Sequence, residues 1–133
     1  MRYADWPQRL NRYIVEQRDN KYQLGMHDCC TFTAGGVIAI TNTYGDPMKE
    51  FRDMYHDKAT LTAALKAIGA GSLFRTLVKK FGKSIPGHQA CKGDVVFNEG
   101  ACGIAIGVYG IFISGTGYGL VPISSVDRAF KVK

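Results

Sequence analysis

Apolar and polar positions change their rhythm about two-thirds of the way along the 133-residue chain. Up to Phe81 the apolar residues recur every three or four positions, and after Pro86-Gly87 they alternate in short runs. Trp6, Leu10, Tyr13, Ile14 and Gln17 fall on one helical face, with Pro7 near the start where its missing N–H does no harm. A first helix is predicted over roughly residues 6–18. Aromatic side chains at that period point to core packing rather than a ligand platform. Arg18 to Lys21 ends it, and a more apolar stretch from Gly25 to Ile40 follows, with its helix starting at Cys29. Beyond a turn-rich exit, Pro47–Tyr55 is predicted as a short amphipathic helix. Leu61–Ile68 is predicted as another, stopped by Gly69 and Gly71. Ser72 caps a further helix over Leu73–Phe81, closed by Gly82, with Lys79 and Lys80 in its last turn as the macrodipole prefers.

The later runs are β-branched and aromatic: Asp94–Phe97, Gly103–Tyr109, Ile111–Ser114, Gly119–Ile123 and Arg128–Val132. They predict a small antiparallel sheet, and the glycines inside them fit strong curvature or tight packing against a helix. Helices first and strands second give an α+β fold in one domain over residues 1–133, with residues 25–40 as a central helix packed on the sheet.

Candidate chemistry gathers on that central stretch. His27 and Asp28 form a short polar approach, Asp28 fits the N-cap, and Cys29 and Cys30 open the helix. Unpaired N–H groups and the positive end of the macrodipole favour thiolate there, which makes Cys29 a candidate nucleophile. Gly35 and Gly36 each cost about 1 kcal/mol of helix propensity against Ala. Side by side they predict a helix pressed against another backbone.

Composition changes this picture little. With 46% hydrophobic and 21% charged residues the chain is expected to be globular. It has neither an apolar run near the ~20 residues of a membrane span nor a signal-peptide core, so no membrane insertion and cytoplasmic folding are expected. The four cysteines make no disulfide framework, because Cys29 and Cys30 are adjacent and Cys91 and Cys102 are scattered. His27, Cys29, Cys30, Cys91 and Cys102 are soft donors, yet none stands at the spacing of a zinc site, so no metal or other cofactor is expected. The net charge of +6 suits an anionic partner without choosing between nucleic acid, a cell envelope and an acidic protein face, and its spread along the chain fits a solvated surface. Gly115–Gly119 reads as a strand turn rather than a phosphate loop.

A cysteine at the head of a buried helix, followed by an antiparallel sheet, is the layout of papain-like cysteine hydrolases. Asp28-Cys29-Cys30-Thr31-Phe32 resembles the Asp-Cys-Ser-Gly-Phe motif of NlpC-type cell-wall peptidases, with Cys29 on the nucleophile. Gly93–Phe97 resembles that family's Gly-Asp-Val/Leu-Val-Phe strand, and Gly103–Gly107 its Val-Gly-Ile-Tyr-Ile-Gly strand. Over nearly its whole length the chain is also similar to a family of small phage and prophage proteins found among tail genes. The shared features are the Trp6-Pro7 opening, His27–Phe32, Gly93–Val96 and Gly119–Pro122.

In the NlpC-type pattern the base histidine falls here on Ala101 and the orienting polar residue on Ser114. A thiol hydrolase without its base loses on the order of 10²–10⁴-fold in rate. His27 and His88 are the candidate displaced bases, and His56 sits apart between helices. In the plainer reading His27 bonds backbone or Asp94 to fix its loop, and His88 is solvated. The resemblance implies a degenerate papain-like component of a phage tail tip or baseplate, assembled in the host cytoplasm and carried in the virion. Its implied partners are other tail proteins, and nucleic acid only as passing DNA. Two alternatives stand beside it: an active cysteine peptidase or amidase cutting host peptidoglycan peptide bridges, and a tail assembly factor.

Overall fold

Short polar side chains set where the helices begin. Asp28 Oδ1 accepts from the Thr31 amide at 2.8 Å while Thr31 Oγ1 accepts from the Asp28 amide at 2.7 Å, a reciprocal capping box that opens α2 (Cys29–Ile40). Asp57 and Thr60 repeat the device ahead of α3 (Lys58–Ala67), which therefore starts before the apolar pattern does. Ser72 accepts from the Arg75 amide and opens α4 (Leu73–Phe81). The first helix, α1 (Trp6–Gln17), has its proline in the first turn instead. The computed structural model, which describes residues 1–133, thus carries four α-helices.

The amphipathic helix expected at residues 47–55 is reduced to one 3-10 turn, Lys49–Phe51. Met48, Phe51 and Tyr55 are buried at helical spacing, which is why the pattern reads as a helix. Asp46 accepts from the Met48 amide at 3.0 Å and tightens the entry, and Asp53 at φ 62° takes the chain out of the helical region.

All six strands join one antiparallel sheet in the order β1-β6-β2-β3-β4-β5. They are β1 (Ile85–Pro86), β2 (Val95–Asn98), β3 (Ala101–Ala105), β4 (Tyr109–Ser114), β5 (Gly117–Pro122) and β6 (Arg128–Phe130). The architecture is α+β, as expected. Gly103–Tyr109 is not one strand, however. The chain leaves β3 after Ala105, reverses with Gly107 at φ 122°, and closes the turn with Ile106 N–H donating to Tyr109 O at 2.8 Å. The two-residue β1 is too short to leave a pattern.

One face of the sheet packs on α2. Phe32, Val37 and Ile40 meet Val95, Cys102, Ile104, Ile111 and Phe130 in the main core. Seven α2 residues are buried (Thr31, Phe32, Thr33, Ala34, Gly36, Val37 and Ile40), so the helix is apolar on most sides because it is covered on most sides, with Ile38 left exposed. The two glycines make room for side chains, not for a neighbouring backbone as expected. A Cβ on Gly35 would stand 2.2 Å from Tyr13 Oη of α1, and one on Gly36 would stand 2.0 Å from Ile104 Cδ1 of β3. Tyr13 uses that space to donate to Phe32 O at 2.7 Å. The opposite face of the sheet, carrying Val96, Ala105 and Ala129, is covered by Ile123 and Val126.

The two chain ends meet on Asp94. Its carboxylate accepts from Arg2 Nη2 (3.1 Å), Lys131 Nζ (2.9 Å) and the amides of Cys91 (2.9 Å) and Val132 (3.1 Å). Gly93 precedes it at φ 90°, and a Cβ there would lie 2.8 Å from Arg2 Nη1. The Gly-Asp pair is thus a structural clasp for the termini. No helix is long and apolar enough to cross a membrane.

Candidate functional site

Residues along β3 alternate between the two faces of the sheet. Cys102 and Ile104 pack toward α2 with the main core, whereas Ala105 joins the opposite cluster, which puts Ala101 on that opposite face too. The register is fixed by pairs such as Val95 with Ile104 and Phe97 with Cys102. The β3 residue that meets the head of α2 is therefore Cys102, not Ala101. The Sγ atoms of Cys29, Cys30 and Cys102 all lie within 4.8 Å of one another, with Cys29 and Cys30 at 3.9 Å. Cys102 Sγ also donates to the Cys29 carbonyl at 3.5 Å. The fourth cysteine, Cys91, is exposed and apart from the other three, with its thiol against Gln89 O.

Such a cluster shares its charge unequally. Hydrogen bonds from Cys102, then from Cys30, hold the Cys29 thiol well below its ordinary value against the cost of burial. Bonding to Cys102 and Cys29, together with burial, pushes Cys30 well up. The bond to Cys29 and full burial do the same to Cys102. The cluster's negative charge is thereby drawn toward Cys29, where the N-terminus of α2 favours it.

Asp28 is the helix cap and is saturated in that role. Besides the capping box, its Oδ2 accepts from the Gly25 amide at 2.8 Å and from Tyr55 Oη at 2.7 Å. Burial and then this bond push the Tyr55 phenol far above its ordinary value. None of the three histidines is hydrogen-bonded to Cys29. His27 is buried, with its ring edge-on to Phe32 at 6.4 Å and its backbone paired to Gln23. It does not hold Asp94, whose oxygens are taken by Arg2, Lys131 and two amides. His88 is exposed in the turn Gly87–Gln89, which packs beside the turn Ile123–Ser125 on the sheet face away from α2. His56 is exposed and pairs with Asp57. Ser114 is exposed at the end of β4 and bonds Gly117 O inside its own hairpin.

Behind the thiols a narrow cavity of about 50 Å³ runs toward α3 and α4, with Cys30, Thr33 and Cys102 among its lining and apolar walls from Phe51, Leu65 and Leu77. Thr33 lies beside Cys102, and its Oγ1 is buried with no hydrogen-bond partner. Thr33 is the site residue that sequence reasoning missed, and Cys102 stands in the sequence only as a scattered soft donor with no sign that it meets Cys29. The one signal for Cys102 is its place two residues from Ile104 in an alternating run.

Chemically, a thiolate with no imidazole partner can act as a soft nucleophile or a metal ligand. It has no group placed to protonate an amine leaving group. The family of the domain of unknown function DUF6950 matches residues 1–132, and the chain belongs to that family. No curated protein and no solved structure matches the chain.

Proposed function

We propose that this DUF6950 chain is a structural component of a phage tail tip or baseplate, built on a papain-like, NlpC-type fold whose hydrolase site has lost its base. The observation that carries the reading is the company Cys29 keeps: two thiols, and no hydrogen bond from any imidazole. A cysteine hydrolase needs a base to make the thiolate and an acid to expel the amine. Here neighbouring thiols and the helix N-terminus favour the thiolate, but no imidazole takes up its proton or returns one to the amine. The sequence motifs shared with tail-associated phage proteins, and a cysteine-headed helix packed on an antiparallel sheet, agree with this reading. Its partners are other tail proteins, its place is the virion after assembly in the host cytoplasm, and its work is done through contacts. The edge strand β5, with exposed Leu120, and the neighbouring Val108 offer surface for such contacts.

A second reading, an active peptidase or amidase on host peptidoglycan, draws on the low Cys29 thiol and would need His27 to swing from Phe32 onto the sulfur. Mass spectrometry of purified virions tests the structural role. The protein is expected in a fixed ratio to the other tail proteins. Its presence in infected lysate but absence from particles overturns the reading in favour of an assembly factor.

A further inference from the structure

Three sulfurs from two distant parts of the chain meet at the head of α2, and contacts between tail proteins make no use of them. Within one coordination sphere, metal–sulfur bonds of about 2.3 Å set sulfurs roughly 3.8 Å apart for a tetrahedral ion and about 4.0 Å for a trigonal one. Cys29 and Cys30 stand at 3.9 Å, and Cys102 is within 4.8 Å of both. A disulfide, by contrast, needs about 2.05 Å and a specific dihedral, which neighbours at the start of a helix do not offer. We propose that Cys29, Cys30 and Cys102 together bind one soft d¹⁰ metal ion through three thiolates.

A second observation points the same way. Among buried side-chain nitrogen and oxygen atoms, Thr33 Oγ1 is the one without a hydrogen-bond partner. It is 3% exposed, lies beside Cys102 and lines the adjoining cavity. With an ion bound, Cys102 is a thiolate and an acceptor, and the hydroxyl donates to it. That is the outer-shell contact that tunes a metal–thiolate bond. The amides of Cys29 and Cys30, which the capping box leaves free, and the dipole of α2 offset part of the negative charge that three thiolates leave on the ion. Cys29 and Cys30 are only partly buried, so the ion has a way in, whereas Cys102 is buried and forms the floor.

Binding displaces the thiol protons and leaves no free nucleophile. The three side chains suit either of two ions. Monovalent copper is satisfied by three sulfurs, and zinc would complete its sphere with a water in the cavity beside Thr33. The inference stands apart from the tail reading, since virion location and metal content are measured separately.

The test uses the full chain carrying Cys91→Ser, fully reduced and free of oxygen, titrated in separate arms with Zn²⁺, Cd²⁺ and Cu⁺. Saturation at one equivalent is expected, with thiolate-to-metal charge-transfer absorption for Cd²⁺ and Cu⁺. X-ray absorption of the loaded protein is expected to show three sulfur neighbours. A full shell of three sulfurs identifies copper as the better match, and three sulfurs plus one oxygen identifies zinc. Cys29→Ser and Cys102→Ala are each expected to weaken binding more than about 100-fold, and Thr33→Val by roughly tenfold, all checked for fold by circular dichroism. No saturable one-to-one binding in any arm, or fewer than three sulfurs around the bound ion in the Cys91→Ser protein, overturns the proposal without recourse to the other variants.

Discussion

Replacing Asp94 by alanine separates a structural role for the Gly-Asp-Val-Val segment from a role in the site. The carboxylate is 1% exposed and receives hydrogen bonds from Arg2, Lys131 and the amides of Cys91 and Val132. Without it, the two amides lose their partner, at about 1–3 kcal/mol for each buried unmade bond. Arg2 keeps its bonds to Lys92 O and Val132 O but loses its counter-ion in a site where it is only 19% exposed. Lys131 is half exposed and turns to water at little cost. The expected loss is therefore about 3–5 kcal/mol, close to what breaking a buried ion pair costs and a large share of the ~5–15 kcal/mol that a domain has. In urea, with a slope near 2 kcal/mol/M, the midpoint falls by about 2 M at unchanged slope. Asp94→Asn is expected to lose most of the same stability, because its amide group turns N–H donors toward other donors. Arg2→Ala is expected to lose only about 1–2 kcal/mol, because three donors remain on the carboxylate. A loss below about 1 kcal/mol in Asp94→Ala would refute the clasp.

Three further expectations follow from the packing and the thiols. Gly36→Ala drives a Cβ to within 2.0 Å of Ile104 Cδ1, so an overpacking cost of about 1–3 kcal/mol exceeds the ~1 kcal/mol gained in helix propensity, and thermal unfolding should move down rather than up. Tyr13→Phe deletes the bond to Phe32 O and should cost about 1 kcal/mol by urea titration. In metal-free Cys91→Ser protein, iodoacetamide should modify one thiol at a rate that stays level well below pH 8, while two resist; equal rates for all three sink the charge assignment. The same shifts fix the pH dependence of stability. The lowered Cys29 contributes stability that is present above the unfolded thiol pKa of about 8.5 and lost as pH falls. The raised Cys30 and Cys102 contribute stability that is present below that value and lost as pH rises through their folded pKa values. The cluster's contribution therefore peaks near pH 8.5, measured as the difference between wild type and Cys29→Ala across pH.

Much of the frame was legible because caps and periods agreed: Pro7 with the Trp6–Tyr13 stripe for α1, Asp28 ahead of the apolar run for α2, and Ser72 with Gly82 for α4. The failures have local causes. Met48, Phe51 and Tyr55 mimic a helical stripe in a segment that Asp53 breaks, and Gly107 interrupts a β-branched run with a turn that Tyr109 closes. Cys29 and Asp28 could be placed from neighbours in sequence. Cys102 could not, because its meeting with Cys29 across 73 positions depends on sheet register, and a shift of one residue would have turned Ala101 to α2 in its place. For the same reason Ala101, where the resemblance puts the base, lies on the face of the strand turned away from the thiol.

Hydrolysis is the most direct test of the base-less site. Purified wild-type protein, chelator-treated and fully reduced so that Cys29 is free, is incubated with host peptidoglycan and with its isolated peptide bridges beside an active hydrolase as control. Released fragments are then resolved by chromatography and mass. No product above the buffer blank is expected. Fragments that form with wild type and vanish with Cys29→Ala and His27→Ala would show a working thiol–imidazole pair and contradict the reading of this chain as a structural relative of the hydrolases.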